Sequence, residues 1–248
     1  MWPELQRWRG IVLIAVAVVA TVWLAVGNQL VLYIHPRYIV FTVVMAVLAI
    51  GFVVAAVVGR PHHDPVDEGR GRARLVTRSA LAIAGVAAVA MLALPPATLT
   101  SATASQRDIN STTVGAQARS VESAASGSDS AFAAYTVLDW QSLLRQTSDL
   151  AFYDSKPVDV IGFITPDEDD PQNVFYVSRF VVTCCAVDAQ PTGIPVYQQN
   201  WADTFSVDEW VRVTGEFTTN PSAQSRQSIA LSPTTIDIVE QPSEPYLF

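Results

Sequence analysis

Two adjacent cysteines, Cys184 and Cys185, are the only thiols in the sequence and carry its most distinctive chemistry. Thiolates bind zinc and similar metals, and Asp188 offers a carboxylate to the same ion if the backbone bends there. A bend is required because successive residues of a strand point to opposite faces of the sheet. The alternatives are a thiol-sensing pair, or a structural role in which one cysteine packs in the core and the other is partly exposed. A disulfide between neighbours is disfavoured, because their Cα atoms lie only about 3.8 Å apart.

The three histidines lie outside the region that contains the cysteines. His62 and His63 stand beside an aspartate, yet tetrahedral zinc needs more donors than this stretch offers, so we interpret it as a solvated loop. The sequence contains no nucleophile elbow, Walker loop, dinucleotide fingerprint or HExxH motif. We therefore predict no enzymatic activity, and the candidate cofactor is a divalent metal such as zinc at the cysteines.

Charge and hydropathy both divide the chain near residue 96. Half of all residues are hydrophobic, and the mean hydropathy of +0.28 is high for a protein without a membrane part. Residues 1–96 hold eight arginines against four acidic residues, a net charge of +4, whereas residues 97–248 hold seven basic against nineteen acidic residues, a net charge of −12. An acidic domain of this kind repels phosphate groups, so we expect no nucleic-acid partner and regard cations as better suited ligands.

Three apolar segments precede residue 97. Residues 10–27 and 38–58 are long enough as helices to cross the roughly 30 Å hydrocarbon layer of a lipid bilayer. Residues 80–94 are shorter and alanine-rich, and we predict that they form a third span. Five arginines lie between the second and third segments and one lies between the first and second, so the N-terminus is predicted to be cytoplasmic. The C-terminal domain is then predicted to be extracytoplasmic. A single lysine among many arginines indicates a bacterium with a GC-rich genome, so the membrane is predicted to be its plasma membrane.

The remainder divides into a linker rich in Ser, Thr and Ala, residues 97–134, and a mainly-β domain, residues 135–248, that begins with a short helix. Thr136 and Asp139 form a capping-box pattern before the apolar stripe of that helix. Five runs of β-branched and aromatic residues follow, at 158–164, 174–185, 194–197, 209–217 and 229–239. The fourth run predicts a half-buried strand, with Val211, Val213 and Phe217 on one face and Arg212, Thr214 and Glu216 on the other. Their order and lengths favour a small OB-like barrel. Arg179 interrupts the second run, where we expect a carboxylate partner rather than an edge position reaching solvent.

Short motifs are spread along nearly the whole chain. They are Tyr33-Ile34-His35-Pro36-Arg37, Arg179-Phe180, Thr183-Cys184-Cys185-Ala186-Val187-Asp188-Ala189, Trp210-Val211-Arg212-Val213-Thr214-Gly215, and Pro242 with Pro245-Tyr246. On these motifs the chain resembles the bacterial family of three-span permease subunits, whose members carry a C-terminal domain of unknown function and accompany a separate polytopic permease. The resemblance implies a heteromeric membrane complex in which His35, Pro36, Arg37, Arg179 and Trp210 contact a partner or maintain the structure.

These observations lead to two functional hypotheses. In the first, the chain is a non-catalytic accessory subunit of a two-component membrane permease that handles a metal ion or small solute. A three-span chain without charged residues inside its helices is a poor conduit for a polar solute, so this hypothesis requires a pore-forming partner. In the second, the chain is a stand-alone, membrane-anchored module that binds a metal or senses thiol chemistry outside the cytoplasm.

Overall fold

The computed structural model describes residues 2–58, 86, 98–111, 119–125, 127 and 129–248. It divides the chain into two compact units, Met1–Ala97 and Thr98–Phe248. The loop that contains His62 and His63 lies outside the described residues, as does the third predicted span, residues 80–94, apart from Val86.

The described part of the first unit contains two α-helices, α1 (Trp2–Val26) and α2 (Ile39–Val58), which contact each other. One described helix is long and apolar enough to cross a membrane, Pro36–Ala55 with a mean hydropathy of 2.7, and Ile14–Val26 is a shorter apolar helix. Apolar side chains of α2 are exposed around its circumference, as a helix surrounded by lipid requires. The described residues therefore support membrane anchoring through a helix.

The second unit is built around a six-stranded mixed sheet. Its strands are β1 (Val158–Pro166), β2 (Val174–Val181), β3 (Gln190–Tyr197), β4 (Trp210–Thr219), β5 (Ile229–Ile238) and β6 (Tyr246–Leu247). Their order is β1-β4-β5-β3-β2-β6. Because β1 also pairs with β2, the first five strands form a closed ring in which each strand pairs with two others. The prediction of a mainly-β C-terminal domain is confirmed.

Two joins in this sheet are parallel, and the rest are antiparallel. Strand β6 runs parallel to the end of β2, and β3 meets β5 through a single pair, Val196 with Leu231. The seam between β3 and β5 is consequently the narrowest contact between neighbouring strands of this ring.

The pattern in β4 follows the prediction from its sequence. Val211, Val213 and Phe217 are buried, whereas Arg212 and Glu216 on the other face are exposed. Gly215 lies at an irregularity where β5 approaches closely, and a Cβ atom there would lie 2.2 Å from the carbonyl oxygen of Ser232. The position accepts glycine because only glycine lacks that atom.

Among the described residues of this unit, five α-helices accompany the sheet: α3 (Ser101–Ala104), α4 (Val121–Ala125), α5 (Asp129–Phe132), α6 (Val137–Gln146) and α7 (Leu150–Tyr153). The predicted capping box begins α6, since the Thr136 hydroxyl accepts a bond from the Asp139 N–H and the Asp139 carboxylate accepts one from the Thr136 N–H. Trp140 is fully buried, and its ring lies 5.4 Å from that of Phe217 in β4. Helix α6 thus covers one side of the core.

Residues before α6 also contact the sheet. The Asn110 side chain accepts a hydrogen bond from the Gly193 N–H at 2.9 Å and donates one to the Gly193 carbonyl at 2.9 Å. The Asn110 N–H donates to the Pro191 carbonyl at 3.1 Å. Asn110 therefore acts as a short substitute for a neighbouring strand along this part of β3.

Candidate metal centre

The predicted β2 run is too long at its C-terminal end. The sequence placed Cys184 and Cys185 inside it, but β2 ends at Val181 and both cysteines lie in the connection to β3. We call residues 182–189 the dicysteine loop. The Val182 N–H still donates to the Leu247 carbonyl of β6, but the N–H groups of Thr183, Cys184 and Cys185 are hydrogen bonded within the loop, so the strand does not continue.

The Asp188 carboxylate organises the dicysteine loop. Its Oδ1 accepts from the Thr183 N–H at 3.0 Å, and its Oδ2 accepts from the N–H groups of Cys184 at 2.7 Å and Cys185 at 3.4 Å. A short 3-10 helix, Ala186–Asp188, returns the chain so that this carboxylate faces the preceding residues. The required backbone bend is present.

The bend brings three potential metal ligands together. The sulfur atoms of Cys184 and Cys185 and a carboxylate oxygen of Asp188 all lie within 4.8 Å of one another. The two sulfur atoms are 3.5 Å apart. Two thiolates that bind one tetrahedral zinc ion at about 2.3 Å are separated by about 3.8 Å, so small side-chain movements suffice for joint coordination. Both cysteines are free thiols, and Cys184 is exposed.

The loop stabilises the protonated form of its first thiol. Hydrogen bonding to Asp188, and then to Cys185, raises the pKa of Cys184 to about 12. Burial acts to raise the pKa of Asp188, but hydrogen bonds from the Cys184 thiol and from the backbone outweigh it and keep that pKa below its ordinary value. At neutral pH the loop is therefore a protonated thiol beside a carboxylate, and metal binding must displace the thiol proton.

The three donors leave room for further ligands. Among the described residues, no histidine or additional acidic side chain joins this group. A carboxylate has about four lone-pair sites, so after accepting three N–H groups Asp188 retains capacity for one metal bond. Tetrahedral coordination would be completed by water or by a donor from another molecule, as in zinc sites that keep an open position.

An arginine from the segment before the domain holds the far end of the dicysteine loop. Arg107 donates hydrogen bonds to the carbonyl oxygens of Ala189 and of Val187, the latter at 3.0 Å. Sequence reasoning missed Arg107, because it stands alone in a Ser-, Thr- and Ala-rich stretch without periodicity. Its contacts fix the loop from a point more than seventy residues earlier in the chain.

Arg179 and Trp210 come together away from the dicysteine loop. The Arg179 guanidinium carbon lies 5.3 Å from the centre of the Trp210 ring, consistent with a cation–π contact. The sequence favours a carboxylate partner for Arg179, but among the described residues no carboxylate reaches it at ion-pair distance, and only the charge of Glu244 acts on it. Arg179 donates instead to the backbone carbonyls of Pro245, Glu244 and Ile161. Carbonyls replace a carboxylate because the C-terminal segment folds back beside β2 to form β6.

The motif His35-Pro36-Arg37 forms a compact turn in the first unit. The Nδ1 of His35 accepts a hydrogen bond from the Arg37 N–H at 3.1 Å, and Pro36 begins the short 3-10 helix Pro36–Tyr38. The Arg37 guanidinium lies 5.4 Å from the Tyr38 ring centre. These contacts give the motif a local structural role immediately before α2.

The fold and the loop together describe a chain with one helix long and apolar enough to cross a membrane and a mixed-sheet domain that presents two thiols and a carboxylate. Residues 136–248 match the family model described as the DUF1980 C-terminal domain, which is an uncharacterised domain. This match agrees with the C-terminal domain of unknown function that the sequence resemblance predicts. No curated protein and no solved structure matches the chain.

Proposed function

We propose that this chain is a non-catalytic accessory subunit of a two-component membrane permease, and that its C-terminal domain binds a divalent metal ion such as zinc. The observation that supports metal binding is the placement of Cys184, Cys185 and Asp188 within 4.8 Å of one another. Cysteine thiolates combined with a carboxylate suit a borderline ion such as zinc better than a hard ion such as magnesium.

The permease role rests on two physical arguments. The described spanning helix contains no acidic or basic residue between residues 38 and 58, so it offers no polar path of its own for an ion. The domain of residues 97–248 has a net charge of −12, which favours the arrival of cations at its surface. A separate pore-forming subunit would carry the solute, and this chain would present or receive it.

The proposal includes a topology. Three spans from a cytoplasmic N-terminus place the C-terminal domain on the extracytoplasmic side of the plasma membrane. We also interpret the ring of pairings β1-β2-β3-β5-β4-β1 as an OB-like barrel, because a sheet that closes in this way leaves few exposed edges. Helix α6, which contacts β3, β2 and β1, would then cover one side of that barrel.

A second candidate function is a stand-alone, membrane-anchored module that binds metal or senses thiol chemistry. The exposed Cys184 thiol, 3.5 Å from the Cys185 sulfur, favours the metal-binding form of this alternative, because a soluble metal carrier can reach it directly. Its raised pKa disfavours thiol sensing, since the thiolate is the reactive form. The two candidates share the dicysteine loop and differ only in whether a permease partner is bound.

Metal content and partner binding are measured in one experiment. The full chain is expressed with the permease encoded beside it and purified in a mild detergent, and zinc is quantified by elemental analysis. We expect co-purification and about one zinc per chain, with zinc lost in the Cys184→Ser and Cys185→Ser variants and retained in Asp203→Asn, a surface control. Purification of the chain alone would refute the permease role, and zinc-free wild-type protein would refute the metal site.

The topology has its own test. Ser243, in the exposed C-terminal segment, is changed to cysteine in a background without the two native cysteines. A membrane-impermeant maleimide added to cells with a permeabilised outer envelope should label this position before lysis. Labelling only after lysis would place the domain in the cytoplasm.

A further inference from the structure

The outer surface of the sheet contains a cavity that takes no part in the proposed metal centre. Its volume is about 220 Å³, and it lies between the residues that lead into α6 and the outer faces of β1, β2 and β4. The lining residues that matter here are Tyr135, Asp159, Ile161, Arg179, Arg212 and Leu247. Two guanidinium groups thus face one cavity together with a single carboxylate.

Arg179 is the unusual member of this set. Its three hydrogen bonds to backbone carbonyls use three of the five N–H groups of a guanidinium, and two remain without a protein acceptor among the described residues. Within those residues no carboxylate lies at ion-pair distance from it. Burial lowers the pKa of Arg179 to about 10, while the Glu244 charge partly opposes that change. The group stays cationic at neutral pH in a place where its charge is only partly compensated.

The second arginine is paired, but its pairing leaves the balance of charge in the cavity positive. Arg212 donates from Nε to Asp159 Oδ1 at 2.7 Å and from Nη2 to Asp159 Oδ2, which neutralises one charge of each sign. Among the lining residues the Arg179 charge remains. The carboxylates of Glu244 and Asp237 act on Arg179 and Arg212 from outside the lining, without reaching Arg179 at ion-pair distance.

The apolar part of the lining limits the size and shape of a ligand. Ile161 and Leu247 offer aliphatic surface, and Tyr135 presents a nearly buried ring. A volume of about 220 Å³ fits a compact metabolite.

We propose that this cavity binds a small organic anion, whose carboxylate or phosphate group meets the free N–H groups of Arg179 and whose carbon skeleton lies against Ile161 and Leu247. The planar guanidinium fork matches carboxylate and phosphate oxygens in pairs, and such charge-assisted bonds are stronger than neutral ones. The inference uses residues outside the dicysteine loop, and it holds whether or not that loop binds metal.

The test uses the full chain in a non-ionic detergent, with a chelator present so that the dicysteine loop is free of metal. Succinate, citrate, inorganic phosphate and glycerol phosphate are titrated by calorimetry at constant ionic strength. We expect saturable one-to-one binding of at least one probe. The carboxylate probes and the phosphate probes distinguish the two anion classes, and inorganic phosphate tests whether a carbon skeleton is needed.

Three variants locate the binding. Arg179→Lys should weaken binding at least tenfold, because lysine keeps the charge but loses the planar fork. Ala133→Trp, at an exposed position of the lining, should block the cavity without altering either arginine. Arg226→Lys, on an exposed arginine elsewhere, should leave binding unchanged.

Two results would overturn the proposal. One is the absence of binding by every probe at millimolar concentration, and the other is binding that both Arg179→Lys and Ala133→Trp leave at the wild-type level. If Arg179→Lys fails to fold, Ala133→Trp alone decides, because unchanged binding in a blocked cavity would place the anion elsewhere.

Discussion

Asp188 should keep the Cys184 thiol protonated, and replacement of Asp188 by asparagine tests this directly. The carboxylate accepts three backbone N–H groups and is the principal cause of the raised pKa of Cys184. Asparagine keeps the shape of the side chain but removes the negative charge and one acceptor atom. We therefore expect the Cys184 thiol in Asp188→Asn to lose its proton at lower pH.

The size of the effect follows from the pKa of about 12. At pH 8 such a thiol is ionised to about one part in 10⁴, whereas an ordinary cysteine with a pKa of about 8.5 is roughly a quarter ionised. The hydrogen bond with Cys185 also contributes to this pKa, so Asp188 accounts for only part of the difference. An increase of at least tenfold in the thiolate fraction is the expected outcome.

The rate of alkylation by iodoacetamide, measured from pH 7 to pH 10, reports the thiolate fraction. Both proteins carry Cys185→Ser so that a single thiol reacts, and Asp203→Asn in the same background controls for the loss of a surface charge. The same Asp188→Asn variant should bind zinc less tightly, because a charged ligand is lost. Faster alkylation with weaker zinc binding supports the assigned role, whereas an unchanged or slower alkylation rate in a folded variant refutes it.

Further predictions concern metal binding and stability. Zinc affinity should rise by up to tenfold per pH unit between pH 6 and pH 8 for each thiol proton released, and a flat profile in calorimetric titrations would contradict coordination by the dicysteine loop. Arg107→Met should destabilise the loop by about 1–2 kcal/mol and weaken zinc binding several-fold, as seen by thermal unfolding and titration, with Arg226→Met unaffected. Trp140→Ala should cost about 3–5 kcal/mol in urea unfolding, because the ring is fully buried. Gly215→Ala should also lower the unfolding midpoint, since its new methyl group meets the Ser232 carbonyl oxygen.

Local sequence signals predicted the elements whose causes are local. The helix that begins at Val137 was predicted because Thr136 and Asp139 cap it through contacts three residues apart. Strand β4 was predicted because its alternation between buried and exposed side chains is visible in the sequence. Both elements need no distant partner to define their type.

The errors lie where a side chain takes over backbone hydrogen bonds, where an element is very short, or where distant residues make the contact. Strand β2 ends early because Asp188, several residues beyond it, collects the N–H groups of the cysteines. Strand β6 has two residues, too few for periodicity to reveal. The carbonyl groups of Glu244 and Pro245 that bind Arg179 are more than sixty residues away in the chain, so no local sequence pattern predicts the contact.

The sequence indicated the candidate metal ligands but not the residues that hold the surrounding chain in place. Cys184, Cys185 and Asp188 stand out by type and spacing, and the structure places them together. Arg107 and Asn110 could not be identified, because a lone polar residue in a stretch of small residues has the same appearance whether it is solvated or bonded to a strand.

Breathing motions of the C-terminal domain should begin between β3 and β5. One residue pair, Val196 with Leu231, joins the two strands. On the same strand as Val196, the Gly193 N–H donates its hydrogen bond to the side-chain oxygen of Asn110. A side chain swings away more readily than a strand, so the Gly193 amide should exchange with deuterium earlier than its neighbours deeper in the sheet. Sub-global opening at this point would expose core side chains while the remaining strands stay paired, which makes it the entry point for unfolding.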